Sequence, residues 1–477
     1  MIRRIVQNSL AMISGQFVVK GLGLVWLVVI ARHLGETDFG YLNFALSLAS
    51  IVALIVDFGF TPVLIRAVAR DSALAERYVA NVLSLRLLLS LLSIPLTLVI
   101  SLFTGAERAT LAPVLIAAVT SLFAALLTTP NGIFIARERM TYPAFILAGS
   151  KIVAFAVGLF LVHRGLGIVW IAGVFAFETG LGLVVALVMM NRVLGTRISL
   201  AIERPFCRRL FRDALPFALT FALGLISFKI DVVMLSAMKG SQFVGWYSAA
   251  YRILEGLVYI SIAFVSTVFP TLSRLKVADE HTLRTTVQRA TEFVIAFALP
   301  IALAIVFLAS DIIALLYGEP YAPSTAALRW IGAALLFVFV NGFLGSVLEA
   351  IDRQHLHFRG RLVAVLVNVA LNIFLIPRLA HVGAAIATLV TEATLSVCLG
   401  VLVARHVRPR LLAARLGKIG AAAVLLVATL GLLRGQSFWL ALLGGAAVYL
   451  GVLAAMRVLT PEETANIRKA FRRTGDE

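Results

Sequence analysis

Long apolar stretches separated by short polar connections run the length of the chain. Fourteen windows recur, at roughly 9–30, 40–60, 79–103, 111–135, 142–163, 167–190, 215–238, 243–270, 291–316, 325–350, 362–377, 383–404, 419–433 and 438–456. Most approach the ~20 residues a helix needs to cross a ~30 Å hydrocarbon core, although the window at 362–377 is short. The polar connections reach only about 20 residues, which leaves no room for a soluble domain. The pattern predicts an all-α polytopic membrane protein with about 14 transmembrane helices.

The windows repeat. A shift of 205 residues lays Gly35 and Gly40 on Gly240 and Gly245, Tyr41 on Trp246, Ala45 on Ala250 and Pro95 on Pro300. Further along, a shift of 214 lays Ala136 and Arg139 on Ala350 and Arg353, Leu161 on Leu375, Arg164 on Arg378 and Glu178 on Glu392. The change of shift implies a nine-residue insertion in the second half, placed at the loop Gly318–Pro323. Each repeat has an even number of spans, so both enter the membrane in the same direction, as parallel repeats of transporters do. The expected organisation is two parallel six-helix lobes, 1–200 and 201–410, followed by a helix pair and a basic tail at 411–477. The inter-lobe boundary lies in the arginine-rich segment Asn191–Asp213, where 206–215 can form an interfacial helix with Arg208, Arg209 and Arg212 toward the headgroups. Pro95 and Pro300, mid-span at equivalent places, weaken the backbone ladder and favour bends.

Composition agrees with the membrane reading: 61% of residues are hydrophobic, 14% are charged, and the mean hydropathy is +1.00. The net charge of +18 raises the question of nucleic acid, but its distribution answers it. With the N-terminus inside, cytoplasmic segments hold 30 of the 42 Lys and Arg residues and outside loops hold six. That asymmetry is the positive-inside pattern, with both termini cytoplasmic, and the excess needs no nucleic-acid partner. Cys207 and Cys398 supply neither a disulfide framework nor a metal site. Thr460, Pro461 and Glu463 are expected to open a short basic helix on the anionic inner leaflet.

Charges inside the membrane carry the functional signal, because a mid-bilayer ionisable group costs ~2.5–3.5 kcal/mol even on insertion scales. Lys20, Lys151, Lys229, Glu178, Glu255 and Glu392 lie near span centres, with Arg86, Asp231 and Arg252 somewhat off centre. Lys20, Arg86 and Lys151 have no carboxylate three or four residues away. Arg252 and Glu255, three apart on one helix face, either neutralise each other or face a cavity. Lys229 and Asp231 point in different directions. Shifted by 205, Lys229 falls on Leu24, one turn from Lys20 on the same face. The two lysines thus project from equivalent faces of both lobes, toward a shared central cavity or toward salt-bridge partners. Lys20, Arg86, Lys151, Lys229 and Arg252 are the candidate cavity cations, suited to a phosphate or pyrophosphate. Glu178 and Glu392, with Asp231 and Glu255, are the candidate ion-coupling carboxylates. A salt bridge from Glu178 to Lys151 is an equal alternative. Asp57, closing span 2 before Phe58-Gly59, reads as a cap or gate.

No Walker loop, HExxH helix or CxxC pair occurs, and the seven histidines do not gather at ligand spacing. No catalytic role, metal or cofactor is expected. Four segments then point to a family: Leu34–Ser47 (LGETDFGYLNFALS), Val244–Glu255 (VGWYSAAYRILE), Ile312–Ser324 (IIALLYGEPYAPS) and Leu371–Glu392 (LNIFLIPRLAHVGAAIATLVTE). They resemble the O-antigen and exopolysaccharide flippases of the multidrug/oligosaccharidyl-lipid/polysaccharide exporter superfamily, and the resemblance covers essentially the whole chain. One departure is Ala380, where the family commonly has glycine.

The resemblance implies a V-shaped pair of lobes alternating access across a bacterial inner membrane. The implied cargo is an undecaprenyl-pyrophosphate-linked oligosaccharide, and the implied partners are that lipid-linked glycan, the bilayer and polysaccharide polymerase machinery. A lipid II flippase and a multidrug cation antiporter are the alternatives within the superfamily. The lysines oppose the latter.

Overall fold

A computed structural model describes residues 2–104, 108–278, 280–409 and 412–456, with side chains apart from those of 2–18, 20, 108, 270 and 276–278. Fourteen α-helices are described: α1 (Ile2–Asp57), α2 (Phe60–Arg70), α3 (Ala75–Phe103), α4 (Leu111–Ala136), α5 (Thr141–His163), α6 (Ile168–Leu194) and α7 (Arg204–Lys239) come first. They are followed by α8 (Ser241–Ala278), α9 (Glu280–Phe307), α10 (Ala309–Leu316), α11 (Ser324–Ala350), α12 (Gln354–His406), α13 (Ala413–Leu433) and α14 (Phe438–Ala455). No strand occurs among the described residues. Twelve of these helices are long and apolar enough to span a bilayer, α2 and α10 being too short. Two hold two apolar windows each, because α1 breaks at Gly35 and α12 at Ala380. All fourteen windows are thereby placed, and the chain is an all-α polytopic membrane protein. Large apolar side chains stay uncovered along the spans, Phe145 at 75% and Leu92 at 68%, as surfaces facing acyl chains must.

Helix boundaries obey the repeat. Moved by 205, α3 would span 280–308, and α9 spans Glu280–Phe307. Moved by 214, α4 would span 325–350, and α11 spans Ser324–Ala350. Gly35 (φ 76°, ψ 176°) and Gly240 (φ 91°, ψ 176°) adopt the same left-handed-side conformation, which costs little only without a Cβ. The insertion is where the offsets place it: seven residues separate α3 from α4, and sixteen separate α9 from α11. The longer connection holds α10, which precedes the expected loop Gly318–Pro323, and a 3-10 turn at Glu319–Tyr321 within it. Pro95 and Pro300 both sit inside continuous helices.

The chain forms two compact units. The first comprises 1–252, 317–321 and 368–384. Its core joins Phe60 and Leu64 of α2, Val79 and Val82 of α3, Phe134 of α4, Met190 of α6 and Ala214 of α7. The phenol of Tyr321, from the insertion, donates to the carbonyl of Ala31 at 2.9 Å. The second unit comprises 253–316, 322–367 and 385–477. There α13 and α14 pack on α9 through Ile419, Leu426, Leu430 and Tyr449, whose hydroxyl donates to the Ala296 carbonyl at 2.8 Å. Buried Glu292 accepts from the Arg415 guanidinium at 2.9 Å and from the Leu412 amide at 3.0 Å, fixing the start of α13.

The segment 206–215 is helical, as expected, and forms the first part of α7. Pro205 occupies the first turn, where its missing N–H is harmless. Cys207, Leu210 and Ala214 bury one face, and a Cβ on Gly59 would lie 2.8 Å from the Ala214 carbonyl oxygen. This packing holds the helix in line with its span. The expected tail helix from Thr460 lies outside the described residues.

Candidate functional site

The intramembrane charges are gathered by helix packing into small polar groups. Arg86 on α3 is wholly buried. It donates to the Thr129 hydroxyl, to Asp57 Oδ1 at 2.5 Å and to the Thr61 hydroxyl at 2.7 Å. Asp57 ends α1 because Phe58 (φ 39°) and Gly59 (φ 70°) turn the chain into α2, and its carboxylate is one-third exposed. Asp57, expected at a cap or gate, is therefore the partner of a buried guanidinium that ties α1, α2, α3 and α4 together. Arg86, expected as a cavity cation, has its head group turned to protein.

Lys151 on α5 and Glu178 on α6 form an ion pair at 2.9 Å, with side chains 12% and 20% exposed. The salt-bridge alternative is thus the geometry observed. The lysine lies across α1 at Gly23, where a Cβ would approach its Cε to 3.7 Å, and its ammonium is 6.0 Å from the Phe175 ring centroid. Both side chains keep some exposure.

Asp231 on α7 is buried and accepts from the Tyr247 hydroxyl at 2.8 Å and from Asn372 Nδ2 at 2.6 Å. Asn372 also donates to Asn368 Oδ1 at 3.1 Å, one turn earlier on α12. Arg252 on α8 donates to Asn43 Oδ1 at 2.6 Å, and Asn43 in turn donates to the Phe39 carbonyl on its own helix. Asn341 Nδ2 donates to the carboxylate of Glu392, the repeat mate of Glu178, at 2.7 Å. Ser396 donates to Asn341 Oδ1 at 2.6 Å, fixing that amide. Lys229 and Glu255 are half-buried on α7 and α8, and the side chain of Lys20 lies outside the described residues.

The buried amides Asn43, Asn341, Asn368 and Asn372 were missed by a reading of charges alone. An unionised amide in a span is itself a signal, since its hydrogen bonds must be met inside the protein. Among the described residues no three His, Cys, Asp or Glu side chains gather into a metal-holding group.

The sequence matches the family model described as polysaccharide biosynthesis protein over residues 5–276, more than half of the chain. The chain belongs to that family. The MatE family model also matches, over residues 216–374. Among relatives of this polysaccharide biosynthesis protein is the probable low-salt glycan biosynthesis flippase Agl15 of Haloferax volcanii, 21% identical and covering 80% of each chain. The capsular polysaccharide biosynthesis protein CapF of Staphylococcus aureus is 21% identical over 77% of this chain and 91% of that one. A solved lipid II flippase MurJ in an inward closed conformation superposes with a TM-score of 0.80, covering 95% of this chain and 99% of that one at 16% identity. It shares the fold.

Proposed function

We propose that this membrane protein is a flippase that carries an undecaprenyl-pyrophosphate-linked oligosaccharide from the cytoplasmic to the periplasmic leaflet by alternating access, for surface polysaccharide synthesis. The observation that carries the reading is the set of basic side chains within the spans of a polysaccharide biosynthesis protein. Lys151 and Lys229 are partly accessible, and Lys20 sits at the repeat position of Lys229 within one turn. A lysine ammonium is a point charge for phosphate oxygens, and in a low-dielectric setting it favours a di-anionic headgroup over a neutral or cationic cargo. The isoprenoid tail stays in lipid. Turnover draws on an ion gradient, the membrane potential or removal of product outside. Glu178 is the candidate coupling carboxylate, since it and the cargo compete for Lys151.

The setting is a bacterial inner membrane with both termini cytoplasmic, as the arginine distribution indicates. Lipid II presents the same pyrophosphate and is the second reading, supported by the fold shared with MurJ. Export of surface glycan in a deletion strain decides: restoration by the unmodified chain and failure with Lys229→Ala at normal membrane abundance supports the reading. Rescue of peptidoglycan synthesis without restored glycan export transfers the assignment to lipid II.

A further inference from the structure

A cavity of about 230 Å³ opens where the first turns of α3 and α7 meet, at the membrane face that the arginine distribution assigns to the cytoplasm. It is lined by Arg77, Tyr78, Phe206, Arg209, Leu210 and Asp213, among others. The wall combines five aromatic or aliphatic residues with three charged ones, a mixture that suits headgroup depth. Arg77 is held in place: it donates to both oxygens of Glu203, at 2.5–3.1 Å, and stacks 4.9 Å from the Phe206 ring centroid. Tyr78 meets the same ring edge-on at 4.9 Å. Arg66, Arg77 and Arg209 all act on the Tyr78 phenol, as does Asp213. The lining itself holds two guanidiniums, Arg77 and Arg209, against one carboxylate, Asp213, an excess of one positive charge that Arg77 shares with Glu203 beside the cavity. A phosphodiester carries one negative charge.

The connection running into this cavity adds an independent observation. Between α6 and α7 the chain lies against α3, with the Arg197 amide on Glu76, the Ala201 amide on the Ala80 carbonyl and the Glu203 amide on Asn81 Oδ1. Along it Ile198, Leu200 and Ile202 are 45%, 62% and 51% exposed at alternate positions. Three large aliphatic side chains left uncovered beside arginines are poorly placed in water and well placed at the boundary of headgroups and acyl chains.

We infer that the α3–α7 cavity seats the headgroup of an anionic phospholipid of the inner leaflet, with its phosphate on Arg209 and Arg77. Its glyceryl and acyl carbons run along Phe206, Leu210 and the exposed aliphatic residues of the connection. The lipid thereby braces the segment joining the two repeats, at a place distinct from the intramembrane lysines. Binding of the cargo plays no part in it.

The test uses the full chain in neutral detergent and native mass spectrometry with equimolar phosphatidylglycerol and phosphatidylcholine, which share the phosphate and differ in net charge. The unmodified protein should retain one phosphatidylglycerol in preference. Arg209→Gln should weaken that retention about fivefold, equivalent to about 1 kcal/mol for one basic residue at an anionic surface. Arg208→Gln removes the same charge from the neighbouring exposed position, which does not line the cavity, and should leave retention unchanged. Equal losses in both variants, or none in either, overturn the site. Displacement of the phospholipid by inorganic phosphate overturns the lipid as its occupant.

Discussion

Gly40 and Gly245, repeat mates 205 residues apart, each press against the chain segment of the other. A Cβ on Gly40 would lie 1.8 Å from the carbonyl oxygen of Ser241, and one on Gly245 would lie 1.9 Å from that of Glu36. Glu36 and Ser241 are themselves related by the same 205-residue shift. The contact is therefore reciprocal, and it maps onto itself when the repeats are exchanged. Small residues at such crossings let membrane helices approach to backbone distance.

Gly40→Ala or Gly245→Ala should accordingly force the two segments apart, because a backbone carbonyl cannot yield as a flexible side chain does. The expected cost is about 1–3 kcal/mol, the usual range for overpacking. Thermal unfolding in detergent checks it. Gly149→Ala, at a helical site with nothing within 4 Å of the added carbon, is the control and should not lower the midpoint.

Ala380 should improve as glycine. Its backbone at φ 48°, ψ −128° lies where a Cβ is strained, and the break it makes in α12 lets Gly383 fold against Leu375, at 2.4 Å for an added Cβ. Strain of this kind costs about 1–3 kcal/mol. Ala380→Gly should recover about 1 kcal/mol after the greater freedom of glycine in the unfolded chain is offset. A lowered midpoint would show that the break tolerates its alanine without strain.

Glu203 should confer an acid-side stability dependence. Its carboxylate is held below its ordinary value of 4.5, chiefly by the hydrogen bonds from Arg77 and further by Asn81. A group with a depressed folded value contributes fully above the unfolded one and loses that contribution as pH falls through the folded value. The stability gap between the unmodified protein and Glu203→Gln should thus be open at neutral pH and close as pH falls below 4.5 and through the depressed folded value. Both residues are exposed, so the gap is small and shrinks with salt. A gap that persists in acid would place the effect in packing rather than charge.

The spans, the repeat and the insertion were legible because each is written in residue spacing: apolar length sets a span, and Gly35 and Gly240 mark equivalent breaks. The pairing of charges was not. Spacing reveals partners three or four apart on one helix, whereas Arg86 meets Asp57 across 29 residues, Lys151 meets Glu178 across 27, and Asn372 meets Asp231 across 141. Such pairs depend on how helices rotate against one another, which apolar all-round sequences leave open. At the start of α7 the helix itself was legible, whereas the burial of Cys207, Leu210 and Ala214 against protein on the face opposite the arginines was not.

Glu178 and Glu392 occupy equivalent places in the two repeats, and the ion pair that Glu178 makes with Lys151 at 2.9 Å predicts that Glu178 is the one that matters to ion coupling. Neutralising Glu178 leaves Lys151 without its counter-charge, whereas Glu392→Gln keeps a hydrogen-bonding group beside Asn341. A double-mutant cycle on Lys151→Ala and Glu178→Ala should show a coupling of about 0.5–3 kcal/mol, since each single change strands the other partner in a largely covered site. In reconstituted vesicles, Glu178→Gln should abolish the response of transport to an imposed pH gradient while headgroup binding persists. Glu392→Gln should leave that response in place. If the unmodified protein transports at the same rate with and without the gradient, Glu178 is a packing partner of Lys151 and nothing more. If Glu178→Gln loses binding and stability together, the pair serves the fold rather than the coupling. Because Glu178 acts through the Lys151 ammonium, Lys151→Gln should itself reduce binding of the anionic headgroup, and Lys151→Arg should largely restore it.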